Sequence, residues 1–278
     1  MGLREHQMHG RLREVTSRGN AAIKELRRAF SHAEMTKDGL VAIEGVRMIE
    51  EAIRSGLRFH TVFFRQSSQN LSERLLPQLS SHVAALLVPN EVFAGAVATE
   101  APQGVAALVE APRSDLGKVL TAENAVLIAA AGLQDPGNLG TLIRSAEAFG
   151  ASGALLLEGT VSACNPKTIR AAAGSLFRLP VVTAEFSELV PQLRERKIRL
   201  LATSSRKGRS LERIDLTGAV CILIGNEGTG LPRQFLSEAD ESIMIPHSTK
   251  VESLNAGVAA AVILYEAARQ RREQHGTV

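Results

Sequence analysis

The chain has 278 residues, 45% hydrophobic and 22% charged, a composition that excludes a disordered polypeptide and leaves room for two domains. Its formal net charge is only +3, and no apolar run approaches the roughly 18 residues needed to cross a bilayer, so no membrane association is expected. The N-terminus carries Arg4, Glu5, Arg11 and Arg13 without an apolar segment, which argues against a secretory signal and for a cytoplasmic protein.

Apolar strand-like runs alternate with amphipathic stretches, the pattern of parallel α/β architecture. The first part reads as a helix at 20–33, a strand at 40–43, a helix at 45–56 and a strand at 60–65. A helix near 70–79, a strand at 84–88, a short helix near 90–98 and a strand at 104–109 follow. Ala111 to Lys118 is polar, with Pro and Gly, and reads as a linker. This gives domains over 1–112 and 119–278.

The second part opens on Ala125 to Ala131, a continuous apolar run suited to a strand buried on both faces. A turn, Gly132 to Asn138, precedes a helix from Leu139 to Phe149 whose apolar stripe is Leu139, Leu142, Ile143, Ala146 and Phe149. Further strands fit 154–157, 180–183, 199–204, 219–224 and 242–245. Helices fit near 166–175, 187–197, 232–238 and 254–272. Cys164 and Cys221 lack metal-ligand spacing and are expected to be buried, reduced thiols.

Basic residues cluster. Residues 1–30 hold seven Lys/Arg against three Glu, and residues 194–213 hold eight against two. Such excesses suit a polyanion, although charge runs are also common on solvated faces. With no Trp and one Tyr, any nucleic-acid contact would be mainly to phosphate and ribose and not by base stacking. Arg27 and Arg28 belong to the first cluster. Lys167 and Arg170 place two cations on one helical turn, either a phosphate grip or a solvated face.

Two segments near the C-terminus point to a small-molecule pocket. In L-I-G-N-E-G-T-G-L-P (Leu223 to Pro232), Gly225, Gly228 and Gly230 let backbone approach a ligand at the end of a strand, and Glu227 has no evident folding role. The spacing is not the dinucleotide fingerprint. About twenty residues later, I-P-H-S-T-K-V-E-S-L-N (Ile245 to Asn255) leads into a helix of small and apolar residues. Ser253 reads as its N-cap, Asn255 as a first-turn residue, and the helix to Leu264 as buried on nearly all sides, within one subunit or in a dimer seam. Asn138 and Arg144 stand on the helix after the domain's first strand.

As an ordered set these segments resemble the SpoU/TrmH family of RNA ribose 2′-O-methyltransferases, in the SPOUT superfamily. The motifs are D-P-G-N-L-G-T-L-I-R-S-A-E-A-F-G (Asp135 to Gly150), I-G-N-E-G-T-G-L (Ile224 to Leu231) and the I-P, S-L-N segment from Ile245. V-A-I-E-G-V-R-M-I-E-E-A-I-R-S-G (Val41 to Gly56) and P-Q-G-V-A-A-L (Pro102 to Leu108) are similar to the family's N-terminal substrate-binding domain, a small α/β unit resembling a ribosomal protein. The third motif departs from the usual pattern, reading I-P-H-S-T-K where a Met and a Gly commonly follow I-P, and S-L-N-A-G-V-A where S-L-N-V-S-V-A is usual.

The resemblance implies a mostly parallel C-terminal sheet with helices on both faces and a deep trefoil knot. It implies S-adenosylmethionine as methyl donor, no metal, and a homodimer through the C-terminal domain. It further implies cofactor contacts at Thr203, Gly225, Glu227, Gly230, Ile245, Leu254 and Asn255, and catalytic positions at Asn138, Arg144, Glu227, Ser253 and Asn255, with Arg144 reaching the partner's site. Ribosomal RNA is favoured as substrate over transfer RNA. A catalytically inactive RNA-binding protein of the same fold is the alternative. An orienting and charge-stabilising role suits Arg144 better than that of a base, because a guanidinium does not readily give up its proton.

Overall fold

The computed structural model describes residues 11–97, 99 and 101–274. Arg4, Glu5 and the remainder of the first ten residues of the basic N-terminal stretch lie outside them, as does the last residue of the helix expected to 98. The chain divides into two compact units, Met1–Pro112 with Cys164–Arg170, and Arg113–Ala163 with Ala171–Val278.

In the first unit, β1 (Leu12–Glu14), α1 (Ala21–His32), β2 (Leu40–Glu44), α2 (Val46–Arg54) and β3 (Phe59–Arg65) are followed by α3 (Asn70–Leu75), β4 (Ala84–Val88), α4 (Asn90–Ala94) and β5 (Val105–Glu110). Helix α1 starts where the Asn20 side chain accepts a hydrogen bond from Ala22 N, 2.9 Å. It buries Ile23, Leu26, Ala29 and Phe30 and ends on the left-handed Ala33.

The sheet order is β1-β4-β3-β5-β2, and here the expectation of a parallel sheet fails: β5 runs antiparallel to both β3 and β2. Element length explains this. The five-residue α4 rises only about 7 Å, whereas a parallel crossover must return the chain along the full length of a strand, about 20 Å. The chain therefore re-enters from the edge at which β3 ends, with Val105 opposite Phe64. Strand β1 has no apolar alternation to announce it and, among the described residues, pairs with β4 alone.

The second unit contains α5 (Leu116–Leu120), β6 (Val126–Ala131), α6 (Pro136–Ala148) and β7 (Gly153–Leu156); α7 (Pro166–Ala172) comes next in sequence. Then follow β8 (Val181–Thr183), α8 (Phe186–Glu195), β9 (Arg199–Thr203), β10 (Arg209–Ser210), β11 (Val220–Gly225), α9 (Arg233–Glu238), β12 (Glu241–Met244) and α10 (Ala256–Gln274). The end of the expected linker is thus helical: Asp115 caps α5 through Lys118 N.

All seven strands are parallel, in the order β10-β12-β9-β11-β6-β7-β8. The chain lays down β6, β7 and β8 in one direction, passes to β9 and β10 beyond a gap, then inserts β11 between β6 and β9 and β12 between β9 and β10. Strands β6 and β11 are buried on both faces. Leu127, Ala129, Cys221 and Leu223 pack with Phe186 and Leu189 of α8 and with Phe235, which stacks on Phe186 at 3.7 Å. The opposite face is covered by α6 and α10, which pack on each other. Burial pushes the Cys221 thiol up to about 12, so it stays protonated, whereas Cys164 is only half-buried, unlike the expectation for it.

Helix α10 corrects the expectation for its cap. It begins at Ala256, and its cap is Asn255, whose Oδ1 accepts from Val258 N at 3.2 Å; Ser253 lies two residues outside it. Within the single chain Val258, Val262 and Tyr265 remain 48%, 38% and 49% exposed, so of the two expected modes of burial the one wholly inside a subunit does not hold. Small residues are there for a tight seam on one face, since a Cβ on Gly257 would lie 3.0 Å from Thr141 of α6.

Candidate active site

A cavity of about 550 Å³ opens at the carboxyl ends of β9, β11 and β12, where the late insertion of β11 reverses the strand order. Ligands of open α/β sheets bind at such positions, and the volume suits a nucleoside-sized molecule. Its lining includes the apolar Leu231, Ile243 and Ile263 and the polar Arg206, Glu227, His247 and Ser253.

The glycine loop is held by Asn226. Its Nδ2 donates to the Gly132 carbonyl at 2.9 Å, and its Oδ1 accepts from Gly228 N at 2.9 Å and Thr229 N at 3.1 Å. An antiparallel bridge between Asn226 and Gly230 closes the loop. The glycines divide their tasks. A Cβ on Gly225 would fall 2.6 Å from the Gly230 carbonyl carbon, so residue 225 is small for the loop's own closure. Gly230 holds φ +69°, a left-handed conformation. Only Gly228 has neither constraint, its nearest prospective neighbour being Asn226 Oδ1 at 3.6 Å. Asn226 was not singled out in the sequence; an Asn two residues before a Gly is the available signal.

Beside the cavity three polar side chains form a chain. Asn138 Nδ2 donates to Glu227 Oε1 at 2.6 Å, and Asn255 Nδ2 donates to Asn138 Oδ1 at 2.8 Å. The backbone fixes both asparagines. Helix α6 begins at Pro136, three residues earlier than the sequence pattern suggests, because Asp135 caps it by accepting from Asn138 N at 2.7 Å. This puts Asn138 in the first turn. Asn255 uses its oxygen as the cap of α10 and its amide nitrogen for Asn138.

Of the candidate residues, Thr203, Gly225, Glu227, Gly230, Ile245, Ser253 and Leu254 line the cavity. Asn138 and Asn255 join it through Glu227. Arg144 is exposed on α6, does not line the cavity, and has no ion-pair partner among the described residues. Arg27 is half-buried with its Nε on the Gly95 carbonyl, while Arg28, Lys167 and Arg170 are exposed. His247 and Arg206 also line the cavity and were missed. His247 Nδ1 lies 2.7 Å from the Ile245 carbonyl; a carbonyl only accepts, so Nδ1 carries the hydrogen. Among the described residues no grouping of His, Cys, Asp and Glu is suited to a metal ion. None of their helices is long and apolar enough to cross a membrane.

A parallel α/β unit with a glycine-loop cavity and an adjoining Asn–Asn–Glu chain defines a ligand-binding enzyme domain. The chain belongs to the SpoU rRNA Methylase family, which it matches over residues 125–265. Residues 20–107 match the MRM3-like substrate binding domain. It is 31% identical over 254 residues to 23S rRNA (guanosine(2553)-2′-O)-methyltransferase RlmP of Bacillus subtilis, covering 91% of this chain and 98% of that one. It is 32% identical over 269 residues to the 23S rRNA (uridine(2479)-2′-O)-methyltransferase of Streptomyces viridochromogenes, with 93% of each chain covered. Among solved structures it resembles the S-adenosylmethionine-bound rRNA methyltransferase of Sinorhizobium meliloti, with TM-score 0.82, 29% identity and coverage of 94% and 98%.

Proposed function

We propose that the protein transfers a methyl group from S-adenosylmethionine to a ribose 2′-hydroxyl of ribosomal RNA. The observation that carries this reading is the Asn255–Asn138–Glu227 chain at the lip of the cavity. The relatives named for 23S rRNA favour ribosomal over transfer RNA, and that substrate supports a cytoplasmic location.

The residues present fit the methyl donor. An adenosyl group needs an apolar slot, supplied by Leu231, Ile243 and Ile263, and a cationic sulfonium needs negative charge nearby, supplied by Glu227. Thr203, Gly225, Gly230, Ile245 and Leu254 would hold it. When bound, it supplies an electrophilic methyl with a neutral leaving group. The protein's part is alignment and charge. Alignment of reactants contributes up to about 7–11 kcal/mol. Asn138 has its amide orientation set by two bonds of opposite sense; its second N–H is left to face a developing alkoxide, a contribution of about 3 kcal/mol when preorganised. Arg144, an exposed cation with no ion-pair partner among the described residues, orients the nucleophile and offsets its charge.

The exposed row Val258, Val262 and Tyr265 on α10 supports a homodimer through this face, with Arg144 of α6 serving the partner's site. The insertion of β11 and β12 between strands already laid down supports a knotted C-terminal segment, a topology found in few folds. Calorimetric titration tests the reading. S-adenosylmethionine should bind and NAD should not; the reverse would contradict the reading, and binding without methyl transfer would make it an inactive RNA-binding relative.

A further inference from the structure

The basic stretch 194–213 is not one patch in three dimensions. Strand β9 separates its two halves, and a five-residue strand spans about 17 Å. At the edge away from the cavity, Arg194 pairs with Glu238 and Arg196 with Glu195, and Arg199 donates to the Asp215 carbonyl. Arg209, on β10, pairs with Glu241 at the start of β12, at 3.4 Å. Four other cations of the stretch have no carboxylate partner among the described residues: Lys197, at the edge away from the cavity, Arg213, and the adjacent pair Arg206 and Lys207, all exposed.

The turn of the adjacent pair is tethered at both ends. The Ser204 hydroxyl accepts from Lys207 N at 3.0 Å and Arg206 N at 3.4 Å. Gly208 holds φ +123° and lies so close to β12 that a Cβ would stand 2.5 Å from the Ser242 carbonyl oxygen. The two cations are therefore presented in sequence, Arg206 in the cavity wall and Lys207 next to it but outside the lining. A carboxylate inside the cavity would call for one cation at the wall. Two consecutive ones, the second beyond the wall, suit a chain of phosphates entering it.

We propose that Arg206 and Lys207 grip the RNA phosphates that flank the ribose presented to the cavity, an inference that rests on the methyltransferase reading above. The test compares Arg206→Gln, Lys207→Gln and the double variant with wild type, and takes Lys197→Gln, at the opposite edge of the sheet, as control. Filter binding to deproteinised 23S ribosomal RNA over a range of KCl concentrations gives the salt slope, and calorimetry gives S-adenosylmethionine affinity. Each single substitution should make the slope of log K against log[KCl] shallower by about 0.7–0.9, and the double variant by about twice that. Lys197→Gln should match wild type, and every variant should keep its S-adenosylmethionine affinity within about twofold. An unchanged slope in the double variant overturns the proposal. So does an Arg206→Gln protein whose S-adenosylmethionine affinity falls about tenfold or more with the RNA slope intact. Failure of wild type to bind S-adenosylmethionine, seen before any substitution is made, sinks the underlying reading and the proposal with it.

Discussion

Asn138 is held from two sides, by Asn255 on its oxygen and Glu227 on its nitrogen, so its amide cannot flip without losing both bonds. Asn138→Asp keeps the shape and inverts the chemistry, setting a second carboxylate against Glu227 Oε1. Single-turnover methylation should fall by about 10²-fold or more, with the thermal midpoint nearly unchanged because the pair is exposed. An active Asn138→Asp enzyme would remove the residue from the machinery.

Residues of this kind are legible in a sequence because they sit where folding has no need of them, as Glu227 does inside a glycine loop. Asn226 and Gly225 were harder to read. Their work is internal to the loop, and a residue that merely closes a turn carries the same letters as one that touches a ligand. His247 and Arg206 stand in the cavity wall through loop conformation, which no spacing rule encodes.

At the scale of elements, α10 links the site to the rest of its unit. Asn255 caps its start, while Arg271 in its last turns donates to the carbonyls of Leu216, Gly218 and Asn124, and Gln270 bonds both Ile214 and Leu216. Partial burial disfavours the charged form of Arg271, pulling its pKa down; the three carbonyls offset that cost. Arg271→Ala should lower unfolding free energy by about 2–4 kcal/mol in urea titrations, and Arg271→Lys should restore only part of it, since an ammonium cannot reproduce the fork. Full recovery with Lys would mean that charge alone matters.

On α6, the Arg178 guanidinium bonded to Glu147 holds that carboxyl below its usual value of 4.5. A lowered folded-state pKa gives stability that is present above 4.5 and lost as pH falls below it. Arg178 is 41% exposed, so screening keeps the effect small. Glu147→Gln should flatten the acid limb of the stability curve below about pH 4.5 in thermal melts, and an unaltered limb would assign the loss elsewhere.

Strand and helix existence was legible through most of the chain because the apolar periods are long and clean. Boundaries failed where a polar side chain set them. Asp135 moved the start of α6 forward and Asn255 moved that of α10 back. The direction of β5 was hidden because it depends on the length of α4, not on the residues of β5.

For the whole molecule, the order of insertion in the seven-stranded sheet sets the cavity, and the exposed apolar row on α10 sets the proposed dimer. The dimer makes a mixing prediction. Arg144→Ala and Asn138→Ala proteins should each be inactive alone. If Arg144 serves the partner's site, subunit exchange restores one complete site per mixed dimer, about a quarter of wild-type activity for random pairing. Mixtures that stay inactive after exchange would place Arg144 in its own subunit's site.

The cavity at the ends of β9, β11 and β12 is proposed to serve methyl transfer to a ribose oxygen of ribosomal RNA. The most direct measurement is mass spectrometry of nucleosides digested from 23S rRNA lacking the modification, after incubation with the full-length protein and S-adenosylmethionine labelled with deuterium in its methyl group. The expected result is label in one 2′-O-methylnucleoside, absent with Asn138→Asp. Label in a base, or none in the RNA, would contradict it.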